Sequence, residues 1–223
     1  MFDGNGKTLT VNYSGSDEQA GIFATLDGTV KNLRVAGSFT TTATAKVTLG
    51  AVAGKLGEKA QIVGCTNTAG IAMNVDASGT TVIGGIFGQG AAGNVIADNT
   101  NEGRITVRRK TPGDAAAVAG VGGWAYSDVT GCVNKGEIRY SDEVSAAKAV
   151  YVGGVLGRLD IGKGYVVEGC RNEAPVTLAT AQAANNLLGG IAAYANGENR
   201  DTPNTIRNCE NRGDVLADAP VSD

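Results

Sequence analysis

Histidine is absent from this chain of 223 residues, and aromatic residues are scarce, with four Phe, six Tyr and a single Trp. Without His there is no Ser-His-Asp triad, no His-based zinc site and no HExxH metalloprotease motif. Proline occurs only four times and Gly has no strict period of three, which excludes a collagen-like chain. No block of like charge exceeds Arg108-Arg109-Lys110, and the net charge is −3, so the footprint of a nucleic-acid binder is missing. Apolar runs fall well short of the roughly 20 residues that span a bilayer. No secretory leader opens the chain, because Met1 leads straight into Phe2-Asp3-Gly4-Asn5-Gly6. A start inside a strand-and-turn pattern points to a segment of a longer protein.

What is abundant is Gly, 34 residues, about twice the usual share. Interior Gly costs about 1 kcal/mol per residue in a helix, so a helical bundle is disfavoured. With 42% hydrophobic and 18% charged residues the chain is globular rather than disordered.

Internal similarity explains the Gly. The segment Val30-x-x-Leu33-x-Val35-x-Gly37-x-Phe39 returns around Ile62-x-x-Cys65-x-Asn67. It returns again as Ile96-x-x-Asn99-x-Asn101-x-Gly103-x-Ile105 and as Val129-x-x-Cys132-x-Asn134-x-Gly136-x-Ile138. Val167-x-x-Cys170-x-Asn172-x-Ala174-x-Val176 and Ile206-x-x-Cys209-x-Asn211-x-Gly213-x-Val215 complete the series, at offsets of 32, 34, 33, 38 and 39 residues. A second element, rich in Gly-Gly, precedes each copy: Ala20-Gly21-Ile22, Gly50-Ala51-Val52, Gly84-Gly85-Ile86, Gly122-Gly123-Trp124, Gly153-Gly154-Val155 and Gly189-Gly190-Ile191. Six such units make a quasi-one-dimensional stack.

From the Cys column onward the apolar positions alternate with Thr100, Glu102, Arg104 and their equivalents, which is strand period. One exposed column reads Glu102, Lys135, Glu173, Arg212, and its neighbour sets Arg104 beside Glu137. Opposite charges would meet on in-register neighbouring strands. The expected fold is therefore all-β: a parallel β-solenoid, in form a right-handed single-stranded β-helix, about six coils of 32–39 residues. Residues 1–18 read as a partial N-terminal coil, 19–216 as six repeats and 217–223 as a tail, all one domain. Continuation beyond either end, or dimerisation, is expected, since uncapped solenoid ends template further pairing.

Cys65, Cys132, Cys170 and Cys209 share a column with Leu33 and Asn99, an inward slot for reduced thiols, with a bridge between coils as the alternative. A linear stack does not converge as zinc requires. Asn67, Asn101, Asn134, Asn172 and Asn211 form a second column, expected to share amide hydrogen bonds from coil to coil, with Gly two residues on at a tight corner. The Gly-Gly strands are apolar on both faces and need a cover, from the variable connections or from another domain or subunit. Aligned on its doubled Gly, Trp124 falls in a core column with Ile and Val, leaving Tyr126 and Tyr194 as the candidate exposed ligand contacts.

Phe2-Asp3-Gly4-Asn5-Gly6-Lys7-Thr8-Leu9, Ala20-Gly21-Ile22-Phe23 and Gly28-Thr29-Val30-Lys31-Asn32-Leu33 resemble the opening of bacterial surface proteins with GLUG-type repeats. The later units resemble repeats of large secreted proteins of gut-associated bacteria. That resemblance covers nearly the whole chain and implies an extracellular, adhesin-like β-helix module binding a glycan or a host or bacterial surface protein through variable loops. Neither cofactor, metal, nucleic acid nor membrane insertion is expected, and no residue is assigned a catalytic role. The alternative is a carbohydrate-active β-helix enzyme, a polysaccharide lyase or hydrolase, which would need converging carboxylates or a calcium site beside a basic residue. On this chain Asp76, Asp98, Asp114, Asp128 and Asp160 share no register.

Overall fold

The computed structural model describes residues 1–110, 114–143, 148–160, 164–180, 185–196 and 201–218. Parts of the variable connections and most of the tail, 111–113, 144–147, 161–163, 181–184, 197–200 and 219–223, lie outside the described residues. Every strand pairing in the structure is parallel, and no helix occurs among the described residues. The chain is a β-solenoid whose coils contribute rungs to four sheets in turn, two strands per coil entering the second.

The first sheet holds seven strands, from Phe2–Asp3 through Thr29–Lys31 and Gln61–Val63 to Thr205–Arg207. The second carries the Asn-containing strands, such as Thr100–Asn101, and then the strand beyond the corner, such as Ile105–Arg109. The third and fourth sheets hold six strands each, so five coil-to-coil intervals close these two faces. Thr81–Gly84 belongs to the third and Phe87–Gln89 to the fourth. At the N-terminus Thr8–Gly15 runs beside Arg34–Thr41 and Phe2–Asp3 beside Thr29–Lys31.

In-register stacking turns each repeat position into a column. Val30, Ile62, Ile96, Val129 and Val167 form one fully buried line, and Ile105, Ile138 and Val176 another. Burial of side chains of this size stabilises by about 1.5–3 kcal/mol each. Between the first and second sheets the chain bends at Asn32, Gly64, Asp98, Gly131, Gly169 and Asn208, all at φ between 53° and 64°. Gly, Asn and Asp are the residues that accept this left-handed turn at least cost.

The corner after the Asn column has a different cause. Gly103, Gly136 and Gly213 keep negative φ; a Cβ there would collide with the carbonyl of Ala69, Gly103 or Ala174 one coil below. Their need for Gly is close approach, not backbone freedom.

The third sheet is buried on both faces over Val47–Gly50, Thr81–Gly84 and Ala116–Ala119. Its cover comes from within the repeat. The fourth sheet folds back onto it across the Gly-Gly turn, and a Cβ on Gly88 would stand 2.8 Å from Leu49 N, one on Gly123 2.8 Å from Val82 Cγ1. Small residues there let the two sheets approach more closely than the usual ~10 Å. Neither a loop nor another subunit is needed for this face.

Cross-coil charge pairs form as expected at Arg104–Glu137, 3.1 Å apart. In the adjacent column, Glu102 pairs instead with Arg34 two coils away, and Glu173 and Arg212 pair within their own coils with Arg171 and Glu210, two residues back. All are partly exposed and each contributes at most about 1 kcal/mol.

Candidate binding edge

The fourth sheet places Phe87 beside Ala53 below and Gly122 above, and Gln89 beside Lys55 and Trp124. This corrects the sequence alignment of the fourth repeat by three residues. The core column is Val52, Ile86, Val121 and Val155, and the corner occupied elsewhere by Gly84-Gly85 is Ala119-Gly120. The doubled Gly122-Gly123 lies on the next strand, so alignment on it misplaces Trp124. Trp124 instead stands in an outward column running Thr25, Lys55, Gln89, Trp124, Arg158, Tyr194.

Side chains in an outward column stack along the solenoid axis, and here three coils contribute to one cluster. The Arg158 guanidinium lies 4.3 Å from the Trp124 ring centroid, 5.4 Å from that of Tyr194 and 5.5 Å from that of Tyr151. Tyr151 and Tyr194 are in contact at 5.5 Å, and Tyr126 stacks on Trp124 at 5.9 Å with 12° between planes. Asp160 closes the group: its carboxylate accepts from Trp124 Nε1 at 3.0 Å and pairs with Arg158 at 3.2 Å. Cation–π contacts of this kind contribute about 0.5–2 kcal/mol each. Both sequence candidates, Tyr126 and Tyr194, thus sit in one cluster, joined through Trp124 and Arg158. Burial and the neighbouring Asp160 carboxylate push the Tyr126 phenol up to about 12, keeping it a protonated donor.

Tyr151 and Arg158 escaped sequence reasoning, and Asp160 entered it only as one of the carboxylates that share no register. Tyr151 alternates with the buried Val150 and Val152, so its outward orientation was readable, whereas Arg158 shares strand parity with the buried Leu156 and its orientation was not. Which outward residues meet depended on register.

The strands of the outward column lead into turns returning to the first sheet. These turns line an open groove of about 520 Å³ formed by Glu58, Ala92, Gly93, Asp128, Gly164 and Tyr165. Asp128 accepts the Val166 N–H at 2.8 Å, and Asn204 ties the next turn by accepting the Tyr165 N–H at 2.9 Å and donating to the Asp160 carbonyl at 2.9 Å. Burial, then the Asp128 and Asp160 carboxylates, raise the Tyr165 phenol above its ordinary value.

The remaining columns are structural in their contacts. All four Cys are free, Cys65, Cys132 and Cys170 buried and Cys209 half-buried. Burial pushes the Cys65 thiol up, and the Cys132 thiol together with burial pushes up that of Cys170. Asn99, the polar member of that column, is satisfied by the Cys65 N–H at 2.9 Å and the Ile62 carbonyl at 2.8 Å. The Asn amides form a continuous ladder, 67 to 101 and 101 to 134 at 2.8 Å, 134 to 172 and 172 to 211 at 2.7 Å. In the last four repeats the second residue of the turn is a Gly that packs onto this ladder. A Cβ on Gly85, Gly120, Gly154 or Gly190 would run into the amide carbon of Asn101, Asn134, Asn172 or Asn211. The two repeated motifs are therefore two sides of one contact.

A second buried group lies where the second sheet turns toward the third. Arg109 and Asp142 are register partners and fully buried. Arg109 donates to the carbonyls of Ala77, Gly79 and Asp114, each at 3.0 Å, and Tyr140 and Thr180 donate to Asp142 at 3.2 and 2.7 Å. The group holds irregular turns between the second and third sheets. Among the described residues no set of three His, Cys, Asp or Glu is placed to hold a metal ion.

Comparison with family models, with curated proteins and with solved structures yields no match.

Proposed function

We propose that the chain is a non-catalytic structural and adhesive module of a secreted or cell-surface bacterial protein, presenting a binding edge on a stiff solenoid. The observation that carries this reading is the outward cluster of Trp124, Tyr126, Tyr151 and Tyr194 around Arg158. Half-buried aromatic rings supplemented by a few fixed polar groups suit recognition of sugar rings or of a protein surface. The scaffold adds to this, because about five stacked turns, slightly fewer than the six coils expected, hold the side chains of neighbouring repeats in a common register. A glycan is the preferred partner.

The test is an array of neutral and acidic polysaccharides probed with the full chain, combined with a reducing-end assay. Retention on at least one glycan, without release of reducing ends and weakened by Tyr194→Ala, is the expected result. Cleavage of a retained glycan would assign a carbohydrate-active enzyme instead, and failure to bind any glycan would overturn the reading.

A further inference from the structure

We infer that the groove lined by Glu58, Ala92, Gly93, Asp128, Gly164 and Tyr165 is the binding site for a linear, uncharged glycan lying parallel to the solenoid axis. The inference rests on the adhesive reading above and names the ligand class and its position. Four successive turns build the groove, one from each of four neighbouring coils. Coils rise by about 4.8 Å, close to the length of one pyranose residue, so successive sugars of an extended chain meet equivalent positions on successive turns. A straight polymer matches such a repeat; a branched or globular ligand does not.

The lining chemistry selects the class. Ala92, Gly93 and Gly164 carry almost no side chain, and Gly93 and Gly164 turn at φ of 82° and 81°, which leaves a floor of small residues on which a ring can rest. Tyr165 offers an aromatic face at one end, where C–H groups of a sugar pack against a ring. Glu58 and Asp128 offer carboxylates, acceptors for sugar hydroxyls through charge-assisted hydrogen bonds. One oxygen of Asp128 already accepts the Val166 N–H, which fixes the carboxylate's position. Among the described lining residues the charged side chains are the carboxylates of Glu58 and Asp128, so a uronic-acid or sulfated polymer would meet like charge there. Asn204 ties the groove to the neighbouring cluster, accepting the Tyr165 N–H and donating to the Asp160 carbonyl.

A basic peptide is the competing occupant for two carboxylates. A floor of small residues and an aromatic end favour the sugar, and the experiment separates the two.

Isothermal titration of the full chain with neutral linear hexasaccharides (β-1,4-linked glucan, xylan and mannan) is set against oligogalacturonate and oligolysine. Saturable binding of at least one neutral probe is expected, weakened roughly tenfold or more by Tyr165→Ala and measurably by Glu58→Gln, with the urea midpoint unchanged in both variants. Preference for oligogalacturonate or for oligolysine would overturn the inference. So would neutral binding that is indifferent to Tyr165→Ala yet lost in Tyr194→Ala; that result leaves the adhesive reading standing and moves its site to the aromatic column. Absence of binding to every sugar overturns both.

Discussion

Replacing Asn134 by Ala should destabilise the stack by about 3 kcal/mol, and the structure shows where that figure comes from. The Asn134 amide makes four hydrogen bonds. Its Nδ2 donates to the Gly136 carbonyl at 2.9 Å and to Asn172 Oδ1 at 2.7 Å, and its Oδ1 accepts from Asn101 Nδ2 at 2.8 Å and from Gly136 N–H at 3.3 Å. All of this lies at zero exposure, so water cannot replace the lost partner. Truncation leaves at least three buried polar groups short of a partner, at about 1 kcal/mol or more each. Asn211 is the internal control. It occupies the same column in the last coil but is exposed, and the same substitution there should cost less than about 1 kcal/mol. Urea unfolding followed through the fluorescence of the single Trp, with circular dichroism as a second probe, measures both. Because coils can unfold separately in a stack, coincidence of the two probes has to be checked before free energies are compared. Equal losses at the two positions, or a loss below about 1 kcal/mol at Asn134, would sink the argument that the ladder's stabilisation depends on its burial.

Two further predictions concern the turns between the second and third sheets. Arg109→Met removes three hydrogen bonds to turn carbonyls that it reaches while fully buried, so a loss of about 3 kcal/mol or more is expected by urea titration; a loss no larger than for an average surface substitution would show that the turns do not need Arg109. Asp114 has its pKa lowered to about 2, by the hydrogen bond from Thr80 first and then by Lys148 and the Ala115 N–H. A depressed pKa contributes stability above the unfolded value of about 3.9 and loses it as pH falls toward 2. Thermal melts between pH 5 and pH 2 should therefore fall less steeply for Asp114→Asn than for the parent chain, and parallel curves would refute the assignment.

Much of the fold was legible because a solenoid repeats its local chemistry. The strand period beside the Cys column, the recurrence of Asn two residues later and the turn residues before the Cys each report on a few neighbouring residues, and six copies reinforce them. The Asn ladder and the buried, unbridged Cys column follow the expected pattern. The fourth repeat was misread because Gly122-Gly123 imitates the corner that Ala119-Gly120 occupies, and local pattern carries no measure of which copy pairs in register. Tyr126 and Tyr194 were legible as outward aromatics; their joining through Trp124 and Arg158 was not, since those residues are 34 positions apart and meet only by stacking.

The chain by itself determined that it stacks: apolar positions recurring in six copies and a Gly at most corners leave few other ways to bury its side chains. Only the tertiary structure decided what the stack brings together. The second Gly of the turn meets the Asn amide across the coil, the fourth sheet covers the third, and Arg109 settles beside Asp142. These contacts join residues from different faces or different coils. Their partners are chosen by register and by the closeness that Gly permits, which are properties of the packed chain and not of any local segment.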